Sequence, residues 1–286
     1  MRRIALIIGL LFIGTVPVNA INISHEGTVP VAKPRYISLA PSTTEILFAL
    51  GLDEEIVGVS SYCNYPLKAK NKERVGTFSR ANTEKILSLR PDYIFCTGLE
   101  QAPIIAELRR LNLKVYVSDP ANMQELFNSI RDMAKITGKV KEAENLIEHM
   151  ENQIEEISSK VKLIPQEKRQ KVFIEIWHDP LTTAGKSSFI DELLTLAGGV
   201  NIANDAGKAY SIFSQEEVIK RNPDCIILAY MDKESPQTSV GKRFGWSGIS
   251  AVKNNRVYND INPDLLLRPG PRVVEGIKEI YNKLYP

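Results

Sequence analysis

Thr83-Glu84-Lys85-Ile86-Leu87-Ser88-Leu89-Arg90-Pro91-Asp92-Tyr93-Ile94 recurs 132 residues later as Gln215-Glu216-Glu217-Val218-Ile219-Lys220-Arg221-Asn222-Pro223-Asp224-Cys225-Ile226. Glutamate, proline, aspartate and isoleucine coincide, and Ile86 and Leu87 fall on Val218 and Ile219. A proline disfavours helical geometry in the residue before it, so each copy reads as a helix stopped at the proline and followed at once by a buried strand. A second echo links Thr44-Glu45-Ile46-Leu47-Phe48-Ala49-Leu50-Gly51 to Asp191-Glu192-Leu193-Leu194-Thr195-Leu196-Ala197-Gly198, in the same order along the chain. Each member of that pair follows a strand-like run, Arg35 to Leu39 and Lys171 to Trp177. Two copies of one lobe are implied.

Outward from the first copy, short β-rich runs alternate with helical patterns. Arg35 to Leu39, Ile56 to Ser60, Tyr93 to Cys96 and Lys114 to Val117 read as strands, and such alternation predicts βαβ units around a mainly parallel sheet. Ser42 with Glu45 three residues on predicts a capping box opening a helix over Thr43 to Leu50, with Gly51 as its stop. Between the copies, Val140, Ala143, Ile147, Met150, Ile154, Ile157 and Val161 are spaced alternately three and four apart. That stripe marks one long amphipathic helix of about 33 Å, long enough to run from lobe to lobe. It suits a stiff strut, and less well a coiled coil, which needs more heptads. The fold class expected is therefore α/β, two Rossmann-like lobes joined by a long backbone helix. The lobes are placed at residues 33–121 and 165–286, with a helical linker at 122–164.

Met1-Arg2-Arg3, the apolar run Ile4 to Val16 and the close Pro17-Val18-Asn19-Ala20 have the pattern of a secretory signal peptide over residues 1–20, cleaved before Ile21. The run is too short for a membrane span, which needs about 20 residues. With no cysteine near the cleavage point, a soluble periplasmic protein is expected rather than a lipid-anchored one. Of the formal charge of +2, Arg2 and Arg3 account for all, so the mature chain is neutral and has no field to attract nucleic acid or an anionic membrane. A chain of 286 residues with 43% hydrophobic residues can bury a sizeable core. Its three cysteines, Cys63, Cys96 and Cys225, allow at most one internal disulfide, and core thiols are an equal reading.

Catalytic patterns are scarce. Ala184-Gly185-Lys186-Ser187 ends like a phosphate-binding loop, but Pro180 stands where that motif needs its first glycine. Gly245-Trp246-Ser247-Gly248 does not make a nucleophile elbow. The histidines, His25, His149 and His178, have no metal-ligand spacing. What remains is a set of aromatic and polar residues where strands give way to loops, the place where open α/β sheets bind ligands. In the first half these are Tyr62, Tyr65 and Phe78. In the second they are Trp177, His178, Phe244, Trp246, Asp264 and Arg268. Flat rings suit a flat ligand, and a protein that binds without reacting is the expectation.

Ser38-Leu39-Ala40-Pro41-Ser42-Thr43-Thr44-Glu45, Val59-Ser60-Ser61-Tyr62-Cys63-Asn64-Tyr65-Pro66, Val75-Gly76-Thr77, Glu84 to Asp92 and Asp264 to Arg272 resemble the periplasmic cobalamin-binding proteins. These belong to a wider class that also carries ferric siderophores and haem on a rigid helical backbone. The resemblance implies a class III substrate-binding protein of an ABC importer, monomeric, with no cofactor of its own. It places a corrinoid against Tyr62, Phe78, Trp177 and Asp264, with Phe78 where some cobalamin binders have tryptophan. It also implies that Glu84 and Glu216 dock onto arginines of the importer's two membrane subunits. A ferric-siderophore or haem carrier is the alternative within the class, and a periplasmic enzyme using the cleft is the alternative outside it. An anionic siderophore wants several converging cations, and only Arg268, with Lys186 or Arg272, offers any.

Overall fold

In the computed structural model, residues 33–230 and 240–286 are described. The expected leader and His25 lie outside them. Four parallel strands make the first sheet, in the order β2-β1-β3-β4: β1 (Tyr36–Ser38), β2 (Ile56–Val59), β3 (Tyr93–Cys96) and β4 (Val115–Val117). All four runs are short and rich in Val, Ile and aromatics, as strands covered on both faces by helices must be. The second sheet has six strands, β5 (Lys171–His178), β6 (Leu181–Ala184), β7 (Val200–Asn201), β8 (Tyr210–Ile212), β9 (Cys225–Leu228) and β10 (Val257–Tyr258). Its parallel part, β7-β5-β9-β10, repeats the order of the first sheet. The hairpin strand β6 and then β8 extend it with antiparallel pairing beside the carboxyl end of β5.

The sequence repeat holds at the level of single hydrogen bonds. α1 (Pro41–Ala49) and α2 (Thr83–Ser88) in the first lobe correspond to α6 (Phe189–Leu196) and α7 (Gln215–Arg221) in the second. Asp92 accepts from the Arg35 amide at 2.7 Å, and Asp224 from the Lys171 amide at 2.8 Å. The side chain of Arg35 reaches the Leu89 carbonyl and that of Lys171 the Arg221 carbonyl, at 2.7 and 3.1 Å. Arg90 and Asn222 both stand at φ 46°, the left-handed residue that lets the helix end and the strand begin.

α1 departs from the expected capping box. It starts two residues earlier than Thr43, with Ala40 extended at its N-cap and Pro41 in the first turn, a position where proline's fixed φ is already helical and its missing N–H is no loss. Ser42 is thereby inside the helix, and Thr43 and Thr44 turn their hydroxyls back to the Ala40 carbonyl, at 3.1 and 2.9 Å. Glu45 is released from local duty. Gly51 ends the turn at φ 75° and its counterpart Gly198 at φ 81°.

α3 (Ala102–Arg110) packs within the first lobe, and two further helices connect the sheets: α4 (Met123–Thr137) leads through Gly138 into α5 (Val140–Lys162). α5 spans 23 residues, about 35 Å. Its stripe of Ala143, Ile147, Met150, Ile157 and Val161 is buried against α4, α6 and the terminal helix Val273–Leu284, so the apolar face is covered by its own chain. One hydrophobic core runs from Tyr36 and Phe95 in the first sheet, along this face, to Val172 and Ile227 in the second. All three cysteines are free and buried within the lobes, and burial pushes the thiols of Cys96 and Cys225 up to about 12.

Candidate ligand-binding site

Most of the expected site residues lie on loops that follow strands of the two sheets. In the first lobe, the loop after β2 carries Tyr62 and Tyr65, which are 57% and 43% exposed. Beneath it Cys63 is fully buried and tied into a chain of hydroxyls: its sulfur lies 3.1 Å from the Thr44 hydroxyl and 3.2 Å from that of Ser60, and the Thr44 hydroxyl lies 2.7 Å from that of Ser38. Those bonds fix the loop so that its aromatics face outward. Phe78, half-buried, sits on the next loop. Gln101 anchors that loop: its amide donates to the carbonyls of Leu39 and Phe78, at 2.9 and 2.8 Å, while its oxygen accepts from the Thr97 amide at 2.9 Å. One buried glutamine thus gathers the ends of β1 and β3 under Phe78, and no sequence pattern had marked it.

In the second lobe, Trp177 and His178 occupy the tip of the β5-β6 hairpin, both exposed. The Trp177 Nε1 donates to the Asp179 carbonyl at 2.9 Å, which pins the indole. His178 lies 5.1 Å from that ring and edge-on to Tyr230 at 5.9 Å, centroid to centroid. Behind them Glu175, at 0% exposure, receives a two-pronged bond from Arg243, at 2.6 and 2.7 Å, and a short bond from the Tyr230 hydroxyl. Burial, reinforced by the Glu175 carboxylate, raises the Tyr230 hydroxyl well above its ordinary value.

Trp246 does not belong to this surface. It is 0% exposed, edge-on to Phe173 at 6.3 Å and covered by the Arg243 guanidinium at 4.6 Å. The expectation that it contacts ligand is corrected: the loop folds under the sheet, and the indole fills the second lobe's core. Phe244, two residues earlier, is 98% exposed. Lys186 also lies apart, in a groove with Asp191, Asn201 and Asp205.

The segment Asp264 to Arg272, expected as a site on its own lobe, reaches across to the first. Arg268 pairs with Asp264 at 2.8 Å and donates to Asn64 Oδ1 at 2.7 Å, so Asp264, Arg268 and the Tyr62 loop meet. Arg272 grips Glu45 through Nε and Nη2 at 2.8 and 2.7 Å, and its guanidinium lies 3.8 Å above the Tyr65 ring. Burial pushes the Glu45 carboxyl above its usual range, opposed by hydrogen bonding to Arg272 and by the charges of Arg272 and Arg268.

Glu84 and Glu216 occupy the first turns of α2 and α7 and are exposed. Side chains cap both helices: Asn82 accepts from the Lys85 amide at 2.9 Å and Ser214 from the Glu217 amide at 3.2 Å. Glu216 is further held by the Ser214 hydroxyl at 2.6 Å, which lowers its carboxyl below the ordinary value. Among the described residues, no three His, Cys, Asp or Glu side chains converge as a metal site.

Comparison with known proteins agrees with this architecture. Residues 37–262 match the family model described as periplasmic binding protein. An uncharacterized ABC transporter substrate-binding lipoprotein of Bacillus subtilis is 36% identical over 92% of this chain and 83% of its own. Among solved structures, the periplasmic vitamin B12-binding protein of Vibrio cholerae superposes with a TM-score of 0.73 at 27% identity, covering 87% of this chain and 96% of that one. A periplasmic heme-binding protein of Roseiflexus sp. RS-1, in apo form, superposes with a TM-score of 0.78 at 26% identity, covering 89% and 98%.

Proposed function

The chain belongs to the periplasmic binding protein family, a two-lobed α/β substrate-binding protein of ABC transporters and not an enzyme, and we propose that its ligand is cobalamin or a related corrinoid, held between the lobes. The observation that carries this reading is the state of the arginines. Arg272 is spent on Glu45, Arg268 on Asp264 and Asn64, and Arg243 on Glu175. With these three guanidinium groups already paired, the residues around them offer rings, hydroxyls and paired dipoles rather than open positive charge. That matches a flat, amide-rimmed ligand better than a polyanionic ferric chelate, whose buried carboxylates would each need a partner. Lys186, a further candidate cation, lies in its separate groove.

One observation favours a second reading, haem. Arg80, two residues from Phe78, is exposed and takes part in no ion pair among the described residues, so it is free to meet a propionate. Titration with cyanocobalamin and with haemin separates the two. Submicromolar corrinoid binding with weaker haemin binding supports the first reading. Haemin binding that Arg80→Ala abolishes, with no uptake of corrinoid, replaces it with the second.

Delivery follows from the paired glutamates. Glu84 and Glu216 stand at equivalent positions of the repeat, each exposed on a capped helix, as a two-fold membrane partner with one arginine site per subunit would require. With the leader pattern in residues 1–20, the setting is extracytoplasmic. The double substitution Glu84→Ala and Glu216→Ala should leave ligand affinity intact and abolish binding to the importer. Equal loss of both would make the glutamates structural.

A further inference from the structure

Three contacts join the two halves of the chain at one place. Glu45, only 4% exposed, sits on α1 and is forked by Arg272 from 227 positions away. Arg268 reaches Asn64 from 204 positions away. Gly270, between the two arginines, lies against the Ser42 carbonyl, which a side-chain carbon added there would approach to 3.6 Å. The spacing of these contacts is set by Arg268-Pro269-Gly270-Pro271-Arg272, whose prolines restrict the backbone between the two guanidinium groups.

Stability does not account for such a pair. Taking two charges out of water offsets most of their attraction, and apolar residues of similar volume would hold the halves together as well. What a carboxylate and a guanidinium add is direction: two parallel bonds fix distance and plane together. The Tyr65 ring beneath Arg272 fixes the third coordinate. Tyr65 is three residues from Tyr62, and Arg272 is four from Arg268, so the fork spaces the ligand-facing groups of one lobe from those of the other.

We propose that the Glu45–Arg272 fork, seated on Tyr65, is a positioning device that sets the width of the ligand cleft. It touches no ligand itself. It holds the segment bearing Asp264 and Arg268 at one separation from the Tyr62 loop, so that the empty protein presents a single preformed gap instead of closing around its ligand. The device rests on the proposed cleft for its purpose, but the separation exists without any ligand and is measured without one.

Two exposed lysines report it, Lys70 in the first lobe and Lys253 in the second. Spin labels on Lys70→Cys and Lys253→Cys, with the native thiols buried, give the distance distribution between the lobes in the absence of ligand. The parent should show one narrow peak. Arg272→Lys keeps the charge but loses the fork, and Glu45→Gln with Arg272→Met removes both charges. Either variant that folds should broaden or shift the peak, and the off-rate of cyanocobalamin should rise at least tenfold with little change in on-rate. A folded variant with the parent's narrow peak overturns the proposal, as does a broadened peak with an unchanged off-rate. If the parent binds no cyanocobalamin the ligand assignment fails, and the distance measurement alone decides the role of the fork.

Discussion

Replacing Trp177 by alanine tests whether the exposed ring of the second lobe is a ligand platform. A tryptophan side chain presents up to about 250 Å², and Trp177 is 43% exposed, which leaves about 110 Å² for a ligand to cover. At about 25 cal/mol per Å², full coverage is worth about 2.7 kcal/mol, or about 100-fold in Kd, and half coverage about tenfold. The indole is already oriented by its bond to the Asp179 carbonyl, so little further ordering opposes binding. Calorimetric titration of the Trp177→Ala protein with cyanocobalamin should give a Kd raised between about tenfold and 100-fold. Stability should change by no more than about 0.5 kcal/mol, as for surface substitutions generally. Trp177→Phe should fall between the two proteins. An unchanged Kd for Trp177→Ala, in a protein where Tyr62→Ala does weaken binding, would show that the ligand lies against the first lobe alone.

Trp246 should behave in the opposite way. Its complete burial against Phe173 predicts that Trp246→Ala loses about 3–5 kcal/mol in denaturant unfolding, and acrylamide should quench Trp177 but not Trp246. The thiols give a second structural check, since Cys63, Cys96 and Cys225 are buried and held protonated by burial: a thiol reagent at pH 8 should find none in the native protein and three after unfolding. For Glu45, burial raises the carboxyl above its ordinary value of 4.5, so the native state binds the proton more tightly than the unfolded chain. Its contribution to stability is then fully present below pH 4.5 and is lost as pH rises through the folded value. The stability of the parent relative to Glu45→Gln should fall as pH rises from 4 through that window, and a rise would mean that the arginines outweigh burial.

Local periodicity made most of the architecture readable. The Pro-Asp junctions at Pro91-Asp92 and Pro223-Asp224 carry their own hydrogen-bonding instructions, so the repeat survives as matched bonds. The stripe on α5 is equally local, and its extent differs from the expected one by a single residue. Glu45 was misread because a capping box and a carboxylate awaiting an arginine 227 positions away look alike in a short window. Pro41 was the available signal, since proline in the first turn moves the helix start upstream of Ser42. Trp246 failed for a related reason: a glycine-rich loop can offer its aromatic to a ligand or fold it under the sheet, and only the tertiary position of Phe173 decides. The hairpin β6 had a visible cue in the turn dipeptide Asp179-Pro180, whereas Gln101 and Glu175 bond to groups from several segments and had none.

The nature of the ligand rests on neutralised arginines, and it is tested most directly by equilibrium dialysis of the purified protein against equal concentrations of cyanocobalamin, haemin and a ferric siderophore. The absorbance spectrum of the retained protein identifies what was taken up. The corrin bands at one equivalent per chain are the predicted result. A haem Soret band or a ferric charge-transfer band, with the corrin bands absent, would contradict it.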